Sequence, residues 1–448
     1  MQQMKQPSVF TRRVFYIPGY DPHPPRRYRE LYRREAARQA AISGYRIAQA
    51  PGDGGSTGWR VDASIDGQRC RARFSVLVWS DLVRRSMSGG IAATYLQLLR
   101  TAWVYLSSGA LWRLGRLRKG PVIAALYPVA MLLAQAVAAV LLGGLAAVLA
   151  GAAIGWLGRT PGGGAPVPAP GLRLLTVACG MAVGVLALNW FRAQDGRLFA
   201  YYLMHDYAYW ARGRGANPAE LDARCAAFAN EVAAALQGDA DEVLIVGHST
   251  GAQLAVQIAA ALVRTGRVPG RASDRVPDPA SDPARGPAPG PARGPASESA
   301  PALSVLTLGQ AIPMVTFLPE ARALRRDLRD LSAAGNVAWV DVSAPGDGCS
   351  FALCDPVAVS GVSPRAQRWP LIVSAAFSQT LDPARWRAMR WRFFTLHFQY
   401  LCAFERPNDY DYFRITAGAK TLAERFADRP SSRSRIARAL SPYRSVAP

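Results

Sequence analysis

The chain has 448 residues, half of them apolar and 19% charged, which excludes a wholly disordered protein and fits one catalytic domain carrying insertions. Its 53 Lys and Arg stand against 31 Asp and Glu, a net charge of +22 that suits an anionic lipid surface. Neither zinc-finger spacing, an RNP-like aromatic signature nor a compact basic recognition helix accompanies that charge, so no nucleic-acid partner is expected.

The first 13 residues contain no apolar h-region, so no cleaved secretory signal is expected and targeting must come from within the chain. Residues 13–17 read as a short buried strand that stops at Pro18-Gly19-Tyr20, and residues 27–43 as an amphipathic helix. Residues 70–79 read as a further strand, with Ser80 or Asp81 capping the next helix. Between 91 and 112 a bulky apolar face (Tyr95, Leu98, Leu99, Trp103, Leu106, Leu111) suits a helix lying on a membrane or one packed on a sheet, and periodicity alone leaves both open.

Residues 122–157 contain no Asp, Glu, Lys or Arg, and 174–191 form a second apolar run. Each is long enough for the ~20 residues that cross a hydrocarbon core. The Gly/Pro-rich segment 159–171 between them reads as a loop, so the two runs form a hairpin. Two spans rather than three return the chain to its starting side, as a single sheet containing strands from both flanks requires. Arg113, Arg116, Arg118 and Lys119 precede the hairpin and Arg192 and Arg197 follow it, against Arg159 and Arg173 alone in the loop. This places the flanks on the cytosolic side of the cell membrane. Trp112, Trp156 and Trp190 fall near the expected ends of the spans, where indole rings favour the headgroup level.

Residues 218–236 carry helical spacing, 243–246 (Val-Leu-Ile-Val) read as a fully buried strand, and 251–264 as the next helix. The stretch 266–302 is too rich in Pro, Gly, Ser and Asp to pack a core and reads as a disordered insertion. Strands follow at 303–309 and 337–342, with a helix at 319–332 between them. The alternation defines an α/β fold with a mostly parallel sheet flanked by helices, interrupted by the two-helix transmembrane hairpin. The arginine-rich tail from Arg429, which has no acidic residue, is expected to be flexible. The organisation is therefore 1–112 and 198–265 as parts of one domain around a hairpin at 113–197, the insertion at 266–302, the domain's C-terminal part at 303–415, and a basic tail at 416–448.

Gly247-His248-Ser249-Thr250-Gly251 lies directly between a strand and a helix. A serine in so sharp a turn projects its hydroxyl, the glycines leave room for the backbone, and the helix N-terminus with the Thr250 N–H favours an oxyanion. This string after Val-Leu-Ile-Val, together with an early strand ending in Ile-Pro-Gly-Tyr, resembles the α/β-hydrolase superfamily of esterases and lipases, over the parts outside the hairpin and insertion. The resemblance implies Ser249 as nucleophile and Tyr20 as the second oxyanion N–H beside Thr250, although the family usually has His-Gly where this chain has Pro18-Gly19. It also implies the chain order Ser, acid, His.

Of the four histidines, at 23, 205, 248 and 397, only His397 follows Ser249, making it the general base, with His23 as the fallback. For the acid, Asp347 lies on a Gly-flanked loop just past the 337–342 strand, with Asp355 as rival and Asp341 inside the strand. The six cysteines (70, 179, 225, 349, 354, 402) form neither a Cys-x-x-Cys pair nor a His-partnered set, so a reducing compartment and no metal site are expected. The expected activity is cofactor-free hydrolysis of an acyl ester or thioester at a lipid bilayer. A non-catalytic scaffold binding a lipid or protein partner is the alternative.

Overall fold

The computed structural model describes residues 9–52, 57–157, 170–269 and 300–447. The interhelical loop at 158–169 and the insertion at 270–299 lie outside the described residues. In chain order the elements begin with β1 (Phe10–Ile17), α1 (Arg26–Ser43), β2 (Arg46–Pro51), β3 (Gly58–Ile65), β4 (Gln68–Val76) and α2 (Ser80–Ser86). A helical stretch follows: α3 (Ile91–Ser107), α4 (Ala110–Leu117), α5 (Lys119–Leu157), α6 (Pro170–Ala193), α7 (Asp195–Leu198), α8 (Ala200–Arg212) and α9 (Ala219–Ala235). Then come β5 (Glu242–His248), α10 (Gly251–Arg264), β6 (Ala302–Leu308), α11 (Ile312–Thr316), α12 (Arg322–Ala333), β7 (Val337–Ser343), α13 (Pro356–Val359) and β8 (Leu371–Ser374). The chain closes with α14 (Phe377–Thr380), α15 (Pro383–Met389), α16 (Phe393–His397), α17 (Tyr412–Ala417) and α18 (Leu422–Arg425).

Eight strands form one sheet in the order β2-β3-β4-β1-β5-β6-β7-β8. From β4 through β8 every pairing is parallel, while β3 is antiparallel to both neighbours. Sequence accounts for the difference. β5 and β7 are buried along their whole length, as central parallel strands covered on both faces must be, whereas β3 and β4 alternate between buried and exposed positions. On one face α10 packs between α9 and α12, and the aromatic cluster of Tyr16, Tyr32, Trp59, Phe74, Tyr400 and Phe413 fills the other. At the sheet centre Arg12 of β1 pairs with Glu242 of β5, both side chains fully buried. The guanidinium also donates to the carbonyls of Gly418 and Lys420, so the ion pair has the hydrogen bonds that buried charges need.

The chain divides into two compact units. One is built on the sheet and contains the chain up to Arg85, Tyr105–Val122 and everything from Gly213 onward; the other comprises Ser86–Val104 and Ile123–Arg212. Residues 86–104 and 198–212, read from sequence as parts of the sheet domain, thus cluster with the helices.

Within the helical unit α5 is one continuous helix of 39 residues, with Pro128 inside it, and α6 has 24. Both are long and apolar enough to cross a membrane, and only 11% and 6% of their most apolar windows are buried. They lie antiparallel through small residues: a Cβ on Gly143 would stand 2.6 Å from the Gly180 carbonyl oxygen, and one on Gly184 would stand 3.3 Å from that of Ala139. Close backbone approach of this kind is how apolar helices associate where water supplies no driving force. Within the helical unit α3 packs on α5 and α8: Leu98 meets Leu132, Ala200 and Met204, and Tyr95 donates to the Leu132 carbonyl. Leu96, Leu99 and Trp103 on the opposite face are exposed.

The C-terminal tail is not loose, contrary to its composition. Ile436 bridges to Cys354, the amides of Leu440 and Ser441 both donate to the Val359 carbonyl, and Arg325 donates to that of Ser445. Backbone hydrogen bonds fix the tail, and residue composition carries no signal for them.

Candidate active site

Ser249 follows β5 directly and has φ of +58°, a left-handed conformation that a side-chain-bearing residue rarely adopts. Its own amide donates to the Leu308 carbonyl, which anchors the turn to β6. The flanking glycines are needed for space. A Cβ on Gly247 would meet the Gly251 oxygen at 2.6 Å, and one on Gly251 would meet the Ile17 oxygen at 2.4 Å. The turn is therefore pressed against the end of β1, and any side chain at either position would force them apart. Ser249 remains partly exposed in this otherwise buried segment.

The loop after β1 faces the serine. A Cβ on Gly19 would lie 3.0 Å from Ser249 Cβ. Trp79 Nε1 donates to the Pro18 carbonyl at 2.9 Å, and Tyr20, buried, meets the Trp79 ring edge-on with centroids 6.2 Å apart. Thr250 is the N-cap of α10, and its buried Oγ1 has no hydrogen-bond partner among the described residues. Tyr20 and Thr250, the expected oxyanion donors, thus sit on the two segments that meet at Ser249.

His397 is the last residue of α16, and Asp347 lies on the loop past β7. His397 Nδ1 is 2.8 Å from Asp347 Oδ2, and both side chains are buried. Asp347 Oδ1 accepts the Cys349 amide at 2.9 Å, and Oδ2 also accepts the Tyr400 hydroxyl at 3.0 Å. Burial pushes the Asp347 carboxyl up, but His397 and the surrounding donors outweigh it and hold it below the usual carboxylate range. An ionised Asp347 fixes the proton on Nδ1, leaving Nε2 with the lone pair a general base needs.

The other candidates are engaged elsewhere. Asp355 caps α13, accepting the amides of Val357 and Ala358, and also accepts a hydrogen bond from Gln367 Nε2. Asp341 accepts from Thr307 within the sheet, and burial pushes its carboxyl up to about 7. His23 is exposed, with its amide on Asp21. His248 lies beneath the site: its Nε2–H donates to the His397 carbonyl at 2.9 Å, and burial, with His397 beside it, depresses its pKa to about 3. It is a neutral strut holding His397.

Tyr400, three residues past His397, was not singled out by sequence reasoning. Its hydroxyl donates to Asp347 and accepts the Ala344 amide, while burial and Asp347 push its pKa well above the ordinary phenol value. A His-x-x-Tyr spacing at a helix end, which sets the two rings on one side, was the only signal available. Cys349 comes within 4.8 Å of the ligand atoms of Asp347 and His397, a donor set suited to a borderline metal. The carboxylate oxygens are already occupied by three donors, so an ion there would compete with the bonds that orient His397.

No protein-family model, no curated protein and no solved structure matches the chain.

Proposed function

We propose that the chain is a membrane-anchored serine hydrolase of the α/β-hydrolase type, cleaving a carboxylic ester or thioester through an acyl-enzyme. The observation that carries this reading is Ser249 held at positive φ in a glycine-walled strand-to-helix turn, together with the buried Asp347–His397 pair. Local strain is tolerated where function requires it, and a serine with no chemical role would adopt an ordinary turn at lower cost. The order along the chain, serine after β5, acid after β7 and histidine after β8, is that of the resemblance.

In the proposed reaction His397 Nε2 takes the Ser249 hydroxyl proton as Oγ attacks the acyl carbon. The Thr250 and Tyr20 amides receive the oxyanion, and His397 then returns the proton to the departing alcohol or thiol. Water, deprotonated by the same imidazole, releases the acid. Asp347 stays ionised and stabilises the imidazolium. No cofactor enters.

The membrane part of the proposal rests on α5 and α6. Their register, Gly143 beside Gly180 and Ala139 beside Gly184, sets Trp190 near the level of Leu133. By helical rise that level is about 35 Å from Trp156, between the ~30 Å of a hydrocarbon core and the ~40–45 Å that includes the headgroup layers. Both indoles are exposed, as belt residues facing lipid headgroups would be. The basic flanks then favour a sheet unit on the cytosolic side.

The test is covalent labelling of detergent-solubilised protein by a fluorophosphonate. Wild type should label, with Ser249→Ala and His397→Ala both silent. Folded wild type that does not label would sink the catalytic proposal and leave a scaffold that binds a lipid or protein partner.

A further inference from the structure

The sheet unit carries one surface whose composition matches neither water nor a protein interior. Residues 383–404 contain no Asp or Glu, and neither do residues 105–122. In the first stretch Arg387, Arg390, Arg392, Trp391 and Phe393 are exposed, Trp391 at 72%, with the Arg390 guanidinium 5.5 Å from the indole centroid. In the second, Trp112 is 69% exposed beside exposed Arg116 and Lys119.

The two stretches meet on the loop that carries Asp347. A Cβ on Gly348 would lie 3.1 Å from the Phe393 ring, and one on Gly120, in the first turn of α5, would lie 3.2 Å from Gly348 Cα. On the other side of Asp347 a Cβ on Gly346 would clash with Trp386, so the acid loop is clamped between α15, α16 and the root of the apolar helix.

We infer that this aromatic and cationic face docks on an anionic phospholipid bilayer, so that an ester lipid reaches Ser249 without leaving the membrane surface. The inference rests on the proposed hydrolase and its anchor, and it names the occupant on charge and continuity. The two stretches offer arginines and a lysine with no carboxylate in their own sequence, exposed indoles of the kind that settle at headgroup depth, and contact with the first turn of the helix that would enter the bilayer.

The experiment uses the full chain in nanodiscs of phosphatidylcholine, with or without phosphatidylglycerol, and an environment-sensitive fluorescent amino acid in place of Trp391. Blue-shifted emission and quenching by brominated lipid are expected in the anionic discs, with loss of both in Arg387→Glu/Arg390→Glu/Arg392→Glu. In that variant the ratio of turnover of a bilayer-borne ester to that of a water-soluble ester should fall about tenfold or more, given the contribution of each basic residue near an anionic surface.

Emission that stays water-like in both discs would overturn the inference, as would photocrosslinking of position 391 to a second copy of the chain. Fluorophosphonate labelling on the same samples separates the two ideas. Labelled Ser249 without lipid quenching removes the docking surface and leaves the hydrolase standing; quenching without labelling keeps the surface and removes the hydrolase.

Discussion

Gly19 and Ser249 stand opposite one another so closely that a side-chain carbon at position 19 would lie 3.4 Å from the serine Oγ and 3.3 Å from the His248 carbonyl. The loop after β1 can approach the serine only because position 19 has no side chain. Gly19→Ala should therefore move the loop off the site while the sheet survives. Fluorophosphonate labelling should slow by about 100- to 1000-fold, the range found when one oxyanion donor is removed. Far-UV circular dichroism should be unchanged, and labelling at the wild-type rate would remove Tyr20 from the proposed oxyanion site.

Tyr400→Phe tests the support beneath the acid. The hydroxyl satisfies both the Ala344 amide and Asp347, so its loss leaves a buried N–H unpaired, at a cost of about 1–3 kcal/mol. Asp347, whose pKa is lowered in the fold, contributes stability above the unfolded carboxylate value, and this is lost as pH falls through its folded value. With one donor fewer the folded pKa rises, so acid unfolding of the variant should begin at higher pH than in wild type. Coincident acid limbs in a denaturation series would contradict this.

Asp341 should act in the opposite direction. Its carboxyl, buried in β7, protonates near pH 7, whereas an unfolded aspartate does so near 3.9. Between those values the native state binds more protons than the unfolded chain, so stability must fall as pH rises from about 5 to 8. Thermal midpoints across this range should show that slope in wild type, and a shallower one in Asp341→Asn, which cannot ionise.

The α5–α6 pair makes its own prediction. Gly151 and Thr176 are in side-chain contact range, 3.8 Å from a Cβ on Gly151 to Thr176 Cγ2. Gly151→Cys/Thr176→Cys should oxidise to an intramolecular disulfide in detergent. Adding Gly180→Leu, whose side chain would strike the Gly143 carbonyl and Ala147, should abolish it. Persistent cross-linking in the triple variant would mean that the helices are held by their loop rather than by packing.

The parts of this molecule legible in the sequence are those where one residue pattern has one physical cause. Val243 to Val246 had to be a central strand because every side chain is apolar, and the Gly-His-Ser-Thr-Gly turn had to be sharp because glycines bracket the serine. Asp347 was within reach for a related reason: glycines on both sides leave it on a loop just past β7. β2, β3 and β8 were missed, β3 although Trp59, Val61, Ala63 and Ile65 alternate with polar residues. β2 runs along the sheet edge with Arg46 and Pro51 in it, and β8 has only four residues, too few to show an alternation. Tyr400 and the docking of the tail depend on contacts between segments far apart in sequence, which no local pattern records.

Thr11 and Asp241 are hydrogen-bonded neighbours 230 positions apart, because the helices of the second unit are inserted between two adjacent strands. The ribosome releases β1 long before β5 exists. At ordinary synthesis rates the interval is roughly 10–45 s, during which β1 has an unpaired edge. The two long apolar helices emerge within that interval, before the sheet has a centre. The order of events is set by this one pairing: α5 and α6 are made first, and the strand that leads to Ser249 completes the sheet afterwards.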